Sequence, residues 1–231
     1  MRGYESSPTP IGAEGSSYRQ HYTPPQTTEP ESKIRVNVRN LAGYIRPMDT
    51  NVVNLIMNDH RELERLFEQL QTQPDKRAGL APVMITLLTA HSRAEEACVY
   101  PAAAEAGIAE DVEHSQKEHL EADQLAAEVA QADPTSPGFE EKLNKLIEAV
   151  THHVGEEEST LLPEMREKMP ASQLDELGLA FLDSRREHLG AEPADITKAE
   201  LEQQAANADI SGASGMSKSE LKDELEAAAE E

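Results

Sequence analysis

A motif that occurs twice in this chain carries residue types suited to binding a metal. One copy begins at His91 and the other at His153; in both, Glu follows four and five residues later, a large apolar residue nine residues later and Pro ten residues later. Each half also has a lone upstream His at the head of an amphipathic stretch. The pattern therefore predicts a duplicated metal-ligand unit with these ligands in order: His60, His91, Glu95, His119, His153 and Glu157.

The four-residue spacing between His and Glu suits a helix that faces a core. Residues four apart on an α-helix are rotated by only about 40°, so His91 and Glu95 project from one face, as do His153 and Glu157. Apolar residues occupy the same face one or two turns earlier, which points it inward. Burying a carboxylate without compensation is costly, and a coordinated cation removes that cost.

The predicted ligands supply both nitrogen and oxygen donors. Such a mixture suits iron or manganese, and zinc less well, and one Glu from each repeat would bridge two ions. A single His-x-x-x-Glu pair is more often a surface salt bridge, and a helical bundle with a polar but metal-free core is the alternative. Two copies with matching flanks favour the metal site.

The spacing of the neighbouring polar residues gives less support for a direct ligand role. Glu96 and Glu158 are turned about 100° from the preceding Glu, so we expect them to face solvent or to support the ligands. His114 precedes His119 by five residues. That spacing turns it about 140° away, and it is a candidate additional ligand only if the helix adjusts.

The remaining His, Cys and Tyr residues of interest are expected outside the ligand set. His152 and His188 are predicted on the surface, and His21 lies in the N-terminal tail. Cys98 is expected as a small core residue. Tyr100 is expected to pack, although a phenol close to a metal can transfer protons or electrons.

The net charge and the cysteine count limit which partners and which cellular compartment are expected. The 21 basic residues against 44 acidic ones give a net charge of −23, which argues against nucleic-acid and anionic-membrane binding. The single Cys cannot form an internal disulfide, and the N-terminus lacks the apolar core of a signal peptide, so we expect a cytoplasmic location. No apolar run approaches the ~20 residues needed to cross a bilayer.

Composition and periodicity predict an all-α fold. Aromatic residues are only 3% of the chain, whereas Ala, Leu and Glu are plentiful. Residues 1–48 are rich in Pro, Ser, Thr and Gln and are predicted to be a disordered tail. Helices are expected from an N-cap at Asp49 or Thr50 to residue 72, over 78–105, over 109–132, and from 139 past Pro163. With a shorter fifth helix over 172–188, they make an up-and-down four-helix bundle spanning 49–190.

A second, smaller repeat predicts a separate module over residues 194–228. Capping boxes at Thr197 with Glu200 and at Ser217 with Glu220 begin two short helices, with an extended turn between them. The result is a small helix-extended-helix module.

The ligand pattern over residues 49 to 165 resembles the hemerythrin-like, His-His-Glu cation-binding family. The resemblance rests on His60, on Glu118 with His119, and on the two His-x-x-x-Glu-Glu motifs before an apolar-Pro pair. It implies a four-helix bundle around a non-haem di-iron centre with an oxo or hydroxo bridge. It also implies a response to oxygen, peroxide or nitric oxide, oxidative stress or iron handling, with catalase-like peroxide consumption as one form.

The chain differs from the oxygen-carrying members of that family at two places. They carry a second His four residues before the helix-three ligand, where this chain has Ser115, and their last carboxylate lies at plus five, not plus four. The difference implies a reactive or sensing centre more than an oxygen carrier.

The C-terminal module is similar to the N-terminal helical motif of the transcription terminator Rho and to SAP-like modules. Those modules often bind nucleic acid. Residues 196 to 231 here hold three Lys against nine Asp and Glu, so phosphate binding is disfavoured and docking to a protein is expected at least equally. The alternative function is then a metal- or redox-dependent regulatory adaptor that acts through this module.

Overall fold

A computed structural model describes residues 50–229, which contain α-helices and no strand. The predicted disordered tail and His21 lie outside the described residues. A π-helical turn, Glu95–Val99, joins the second helix to the third. The α-helices are α1 (Val52–Thr72), α2 (Arg77–Ala94), α3 (Tyr100–Glu105), α4 (Ala109–Gln131), α5 (Pro137–Ser159), α6 (Leu161–Lys168), α7 (Ala171–His188), α8 (Lys198–Asn207) and α9 (Lys218–Ala229).

Local sequence signals explain most helix boundaries. The Asn51 side chain accepts a hydrogen bond from the Val53 N–H and caps α1, so the N-cap lies beyond the predicted Asp49 or Thr50. Pro74 opens the short turn that separates α1 from α2. The predicted continuous fourth helix is broken at Thr160, three residues before Pro163, because proline has no N–H to donate to the preceding turn.

The all-α bundle predicted from the sequence is confirmed. Helices α1 and α2 pack together, α4 packs on α5, and α1 also contacts α5 while α2 contacts α4. Buried apolar side chains form two clusters, one around Leu63 and Phe139 and the other around Ile56 and Tyr100. His60 lies on α1 between Ile56 and Leu63, so the predicted ligands form a polar layer between two apolar halves.

The fifth helix, α7, packs against both α1 and α2. Close approach is possible because Gly178 has no side chain: a Cβ built there would lie 1.7 Å from the Thr50 carbonyl oxygen. Three residues on, Phe181 is buried with its ring edge-on to His91, at a centroid distance of 5.9 Å. Helix α7 therefore closes the bundle over one side of the polar layer.

Helices α8 and α9 pack on each other and on α4. Both predicted capping boxes form: Thr197 and Glu200 exchange hydrogen bonds, and Ser217 and Glu220 do the same. The apolar side of this pair meets Leu120 of α4. The described residues fall in one compact unit, and a domain boundary near residue 190 stays a prediction. Among the described helices, none has the length and apolar character that crossing a membrane requires.

Candidate metal centre

The six predicted ligands meet in the middle of the bundle. They come from α1, from α2 and its π turn, from α4 and from α5, and each is at most 4% exposed. Such burial of six polar side chains at one place is unusual, because ionisable groups are seldom fully buried unless they are paired or coordinate a metal.

Two sets of three donors can be drawn within this layer, and both contain Glu95. The first is His60, His91 and Glu95; the second is Glu95, His119 and His153; within each set the donor atoms lie within 4.8 Å of one another. Because Glu95 belongs to both sets, its carboxylate connects the two halves of the layer.

The distances show how the carboxylates lie among the imidazoles. Glu95 Oε2 is 3.2 Å from His91 Nε2 and 3.4 Å from His119 Nε2, so it spans the two halves of the layer. Glu157 Oε2 is 3.3 Å from His60 Nε2. Glu157 therefore approaches the layer from α5, across from Glu95.

Each of the four imidazoles in the centre also has a carboxylate near Nδ1, on the side of the ring that faces away from the interior of the layer. On each ring Nε2 faces the interior of the layer, whereas Nδ1 faces an acid at 2.9 to 3.5 Å. We call these acids the backing carboxylates. They are Glu158 behind His60, Asp59 behind His91, Glu96 behind His119 and Glu118 behind His153.

The backing carboxylates follow the internal duplication of the sequence. Asp59 and Glu118 each precede a ligand His and back the other His of their own repeat, on the next helix of the bundle. Glu96 and Glu158 each follow a ligand Glu and back the upstream His of the opposite repeat: Glu96 backs His119, and Glu158 backs His60. The centre is therefore arranged with approximate two-fold symmetry.

This arrangement favours one tautomer at His60 and His153, whose Nδ1 atoms lie 2.9 Å from Glu158 and Glu118. A carboxylate that accepts the Nδ1 proton leaves Nε2 with a lone pair that points inward. The contact between His119 and His153 makes the consequence plain, since their two Nε2 atoms are 3.0 Å apart. His153 Nε2 therefore directs its lone pair towards His119 Nε2, which also lies 3.0 Å from the Tyr100 hydroxyl, so a cation at this place meets two inward-facing nitrogen atoms.

The pKa shifts of two imidazoles agree with neutral ligands. Burial lowers the pKa of His91, and it lowers the pKa of His119 well below its ordinary value. At His60 the hydrogen bonds and charges of Glu157 and Glu158 outweigh burial and raise the pKa. Neutral imidazole is the form that binds metals.

The two interior carboxylates are left without hydrogen-bond partners. Both oxygens of Glu95 and both of Glu157 are buried and unpartnered among the described residues. Burial, followed by the charge of Glu157, raises the pKa of Glu95 well above its usual range. For Glu157 burial acts in the same direction, but contact with His60 and the charge of His153 outweigh it and lower the pKa to about 2. Two acids held this way need positive charge between them, and the residues present therefore fit a metal.

Cationic side chains hold three of the backing carboxylates in place. Arg61 contacts Glu158, Arg93 Nη1 donates to Glu96 at 2.9 Å, and Arg185 Nε lies 2.6 Å from Asp59 Oδ2. Arg185 belongs to α7, so the fifth helix contributes to the surroundings of His91 by charge as well as by packing. The fourth backing carboxylate, Glu118, faces two histidines instead.

The π turn after Glu95 brings a phenol to the centre. On a regular helix Tyr100, nine residues after His91, would point about 180° away from it. The π turn takes an extra residue, and Tyr100 is fully buried with its hydroxyl 3.0 Å from His119 Nε2. Burial raises the pKa of Tyr100 well above its ordinary value, so the phenol keeps its proton. Tyr100 therefore packs in the core, as expected, and its hydroxyl also contacts a predicted ligand, His119.

The structure corrects the possible ligand role of His114 and decides between the two roles expected for Glu96. His114 does not reach the centre: its side chain is 59% exposed and contacts Glu156 on the neighbouring helix, because a five-residue offset turns it outward while Ser115 is buried. Glu96 does not face solvent but is 3% exposed. Its alternative role, support of a ligand, matches its place behind His119.

The support roles of several residues around the centre were not predicted from the sequence. An acid precedes the upstream His in both halves, Asp59 in one and Glu118 in the other, and this repetition could have indicated a support role. Phe181, Arg185 and Gln204 reach the region only through packing of the C-terminal helices, and no local spacing marks them.

Comparison with known proteins agrees with this site. Residues 51–165 match the hemerythrin HHE cation binding domain. A curated protein of Nostoc sp. (strain PCC 7120 / SAG 25.82 / UTEX 2576) described as a DNA nickase is 29% identical over 135 residues, which cover 58% of this chain and 38% of that protein. The chain thus spans well under half the length of that relative. No solved structure matches the chain. Residues 51–165 form a hemerythrin HHE cation-binding domain, and the buried His and Glu residues are placed to hold its cation.

Proposed function

We propose that the chain is a non-haem di-iron protein that binds, senses or reduces a small oxidant such as oxygen, peroxide or nitric oxide. The observation that carries the proposal is the pair of three-donor sets that share Glu95. Two ions that share a carboxylate satisfy both of its oxygens, whereas one ion would leave half of the imidazoles without a partner.

The donor chemistry favours iron. Four imidazole nitrogens with two carboxylates suit iron, and they suit manganese or zinc less well when a redox function is expected. The proposed terminal ligands are His60, His91, His119 and His153 through Nε2, and Glu95 and Glu157 are the proposed bridges. When bound there, iron supplies redox and Lewis-acid chemistry.

The chain's own residues would then control protons and access. Tyr100 holds a proton 3.0 Å from His119 Nε2, close enough to donate it towards a ligand in the centre. The apolar clusters on both sides exclude water from the layer. Ser115 is buried in the position where the oxygen-carrying relatives have a His, which leaves fewer protein donors there and favours a reactive or sensing centre.

Metal analysis of natively purified protein, combined with ultraviolet-visible spectroscopy, tests the proposal. We expect about two iron ions per chain and the absorption of an oxo-bridged ferric pair. Glu95→Gln and Glu157→Gln should each lose iron. Glu164→Gln is a control, because Glu164 is 42% exposed and pairs with Lys168 far from the layer. Less than one iron per chain, or unchanged iron in both interior variants, would refute the di-iron assignment.

Peroxide consumption is one form of this function. If the iron-loaded protein does not consume peroxide, catalase-like activity is ruled out, and binding or sensing of the oxidant remains as the proposed function.

A second candidate function is a metal- or redox-dependent regulatory adaptor that acts on a protein partner through the C-terminal helices. One contact favours it: Gln204 of α8 donates to both oxygens of Glu96, at 3.0 and 3.1 Å. Glu96 backs His119, so a change at the centre can reach α8 through a single side chain. Hydrogen exchange of residues 198–229 tests this idea, and exchange that is the same with and without iron would contradict it.

Nucleic acid is not part of the proposed function. The relative from Nostoc is described as a DNA nickase, but this chain covers 38% of it and carries a net charge of −23. A plasmid-nicking assay with the iron-loaded protein tests the point directly, and nicking would revise the proposal. The Rho-like or SAP-like character of the C-terminal segment and the cytoplasmic location stay predictions.

A further inference from the structure

Two further His-x-x-x-Glu pairs lie on the surface where α4 packs on α5. His114 and Glu118 are four residues apart on α4, and His152 and Glu156 are four residues apart on α5. Residues at this spacing share a helix face. We call these four residues the surface cluster.

The surface cluster is closed by contacts across the two helices. His114 Nε2 is 2.7 Å from Glu156 Oε2, and His152 Nε2 is 3.5 Å from Glu118 Oε1. Within each helix the corresponding distances are 3.7 Å for His114 to Glu118 and 3.5 Å for His152 to Glu156. Each His therefore faces both carboxylates, and the donor atoms of His114, Glu118 and Glu156 lie within 4.8 Å of one another.

Two imidazoles and two carboxylates form a donor set that suits a first-row divalent cation. Zinc takes His nitrogen and carboxylate oxygen in four-coordinate sites. Two carboxylates with two neutral imidazoles carry a charge of −2, which one divalent ion neutralises. A surface cleft of about 430 Å³ beside the cluster is lined by Glu110, Asp111 and Glu113 in addition to His114 and Glu156, so acidic residues make up half of its lining.

The competing explanation is a set of surface ion pairs with protonated histidines. Pairs of that kind contribute only about 0–1 kcal/mol each and do not require four side chains to converge. The cleft has one cation in its lining, Lys117, and it lies 3.3 Å from Glu113 instead of pairing with the cluster.

The surface cluster is separate from the buried centre but touches it at one residue. Glu118 Oε1 faces the cluster, while Oε2 accepts a hydrogen bond from His153 Nδ1 at 2.9 Å. His114 and His152 are 59% and 65% exposed, so an ion can reach them from solvent. Because Glu118 supports a buried ligand, it is the one member of the cluster that a test must leave intact.

We propose that the surface cluster is a second metal site, which binds one divalent cation of the Zn²⁺ type through His114, Glu118 and Glu156, and that the exposed side chain of His152 turns to supply the fourth ligand. The site does not require iron in the buried centre.

Calorimetric titration with Zn²⁺ tests the proposal on the iron-loaded full chain. We expect one zinc ion per chain, bound without loss of iron absorption. The double variant His114→Ala with His152→Ala should bind zinc at least about tenfold more weakly, since loss of even a supporting group costs that much. The control is Glu164→Gln, whose carboxylate is 42% exposed, against 43% for Glu156, and has no His beside it. It should bind zinc like the parent.

A second titration separates this proposal from the function proposed above. In the variant Glu95→Gln with Glu157→Gln the buried donor set is impaired, and zinc should still bind once per chain unless His114 and His152 are also replaced. Equal zinc affinity of the parent and the His114→Ala, His152→Ala variant, or no zinc bound by the iron-loaded parent, would overturn the surface site. Either result would leave the di-iron assignment untouched.

Discussion

Replacement of Gly178 by Ala tests whether α7 closes the metal centre through close backbone packing. Gly178 lies where α7 crosses the start of α1, and an added Cβ would meet the Thr50 carbonyl oxygen at 1.7 Å and Leu55 Cδ1 at 3.1 Å. The nearer contact is with backbone, which cannot rotate away. The helices must therefore separate by about 1.8 Å to restore the usual packing distance of ~3.5 Å.

The expected cost follows from two opposing terms. Overpacking of a well-packed site costs about 1–3 kcal/mol, and the rigid backbone neighbour places this site at or above the upper end. Ala gains ~1 kcal/mol over Gly in a helix interior. The net loss in the free energy of unfolding is about 2 kcal/mol, which lowers Tm by ~4–8 °C for a chain of this size.

Thermal and urea denaturation of Gly178→Ala and Gly155→Ala measure the effect. Gly155 is a matched control because it is an exposed glycine inside α5 with nothing within 4 Å of an added Cβ. It should show only the helix gain, a rise of ~0.5–1 kcal/mol. If Gly178→Ala stabilises the protein as much as Gly155→Ala does, the packing argument is wrong. Iron content gives a second readout, since displacement of α7 also moves Arg185 away from Asp59.

Four further outcomes are expected. Glu158→Gln should weaken iron retention against a chelator by ~10–100-fold, because the acid behind His60 orients that ligand, and unchanged retention would contradict its backing role. Removal of iron should lower the free energy of unfolding by ~2.7 kcal/mol if iron is present at a hundred times its Kd, and a Tm that does not respond to iron would count against a folded-state site. Burial raises the pKa of Cys98 to about 12, so alkylation at pH 8 should be at least ~100-fold slower in the folded protein than in urea; equal rates would show an exposed thiolate. Gln204→Ala removes one of the donors to the buried Glu96 carboxylate, while Gln116 and Arg93 remain, and should cost ~0.5–1.5 kcal/mol in urea denaturation; a neutral result would mean that α8 is not coupled to Glu96.

The fold and the interior donor set were accessible from sequence because both depend on local spacing. Apolar periodicity and capping residues decide where helices form, and a four-residue interval puts His91 beside Glu95 in any α-helix. The repetition of that interval at His153, with an upstream His in each half, was enough to predict that the side chains share one layer.

Interruptions within helices were harder to predict from the sequence, because the apolar periodicity does not show small changes in backbone conformation. The π turn at Glu95–Val99 carries Tyr100 to His119, where a regular helix would have pointed it away. The break at Thr160 likewise interrupts a helix that apolar spacing continues past Pro163.

Tertiary packing alone decided the surroundings of the centre. Glu158 reaches His60 across 98 residues of chain, and Gln204 reaches Glu96 across 108, so neither contact has a local signal. The contact of His114 with Glu156 likewise depends on the way α4 packs on α5, although spacing along α4 already turns His114 outward. Spacing along one helix thus determined which side chains share a face, whereas the packing of helices distant in sequence determined which charges stand behind them, because only packing brings those groups within contact distance.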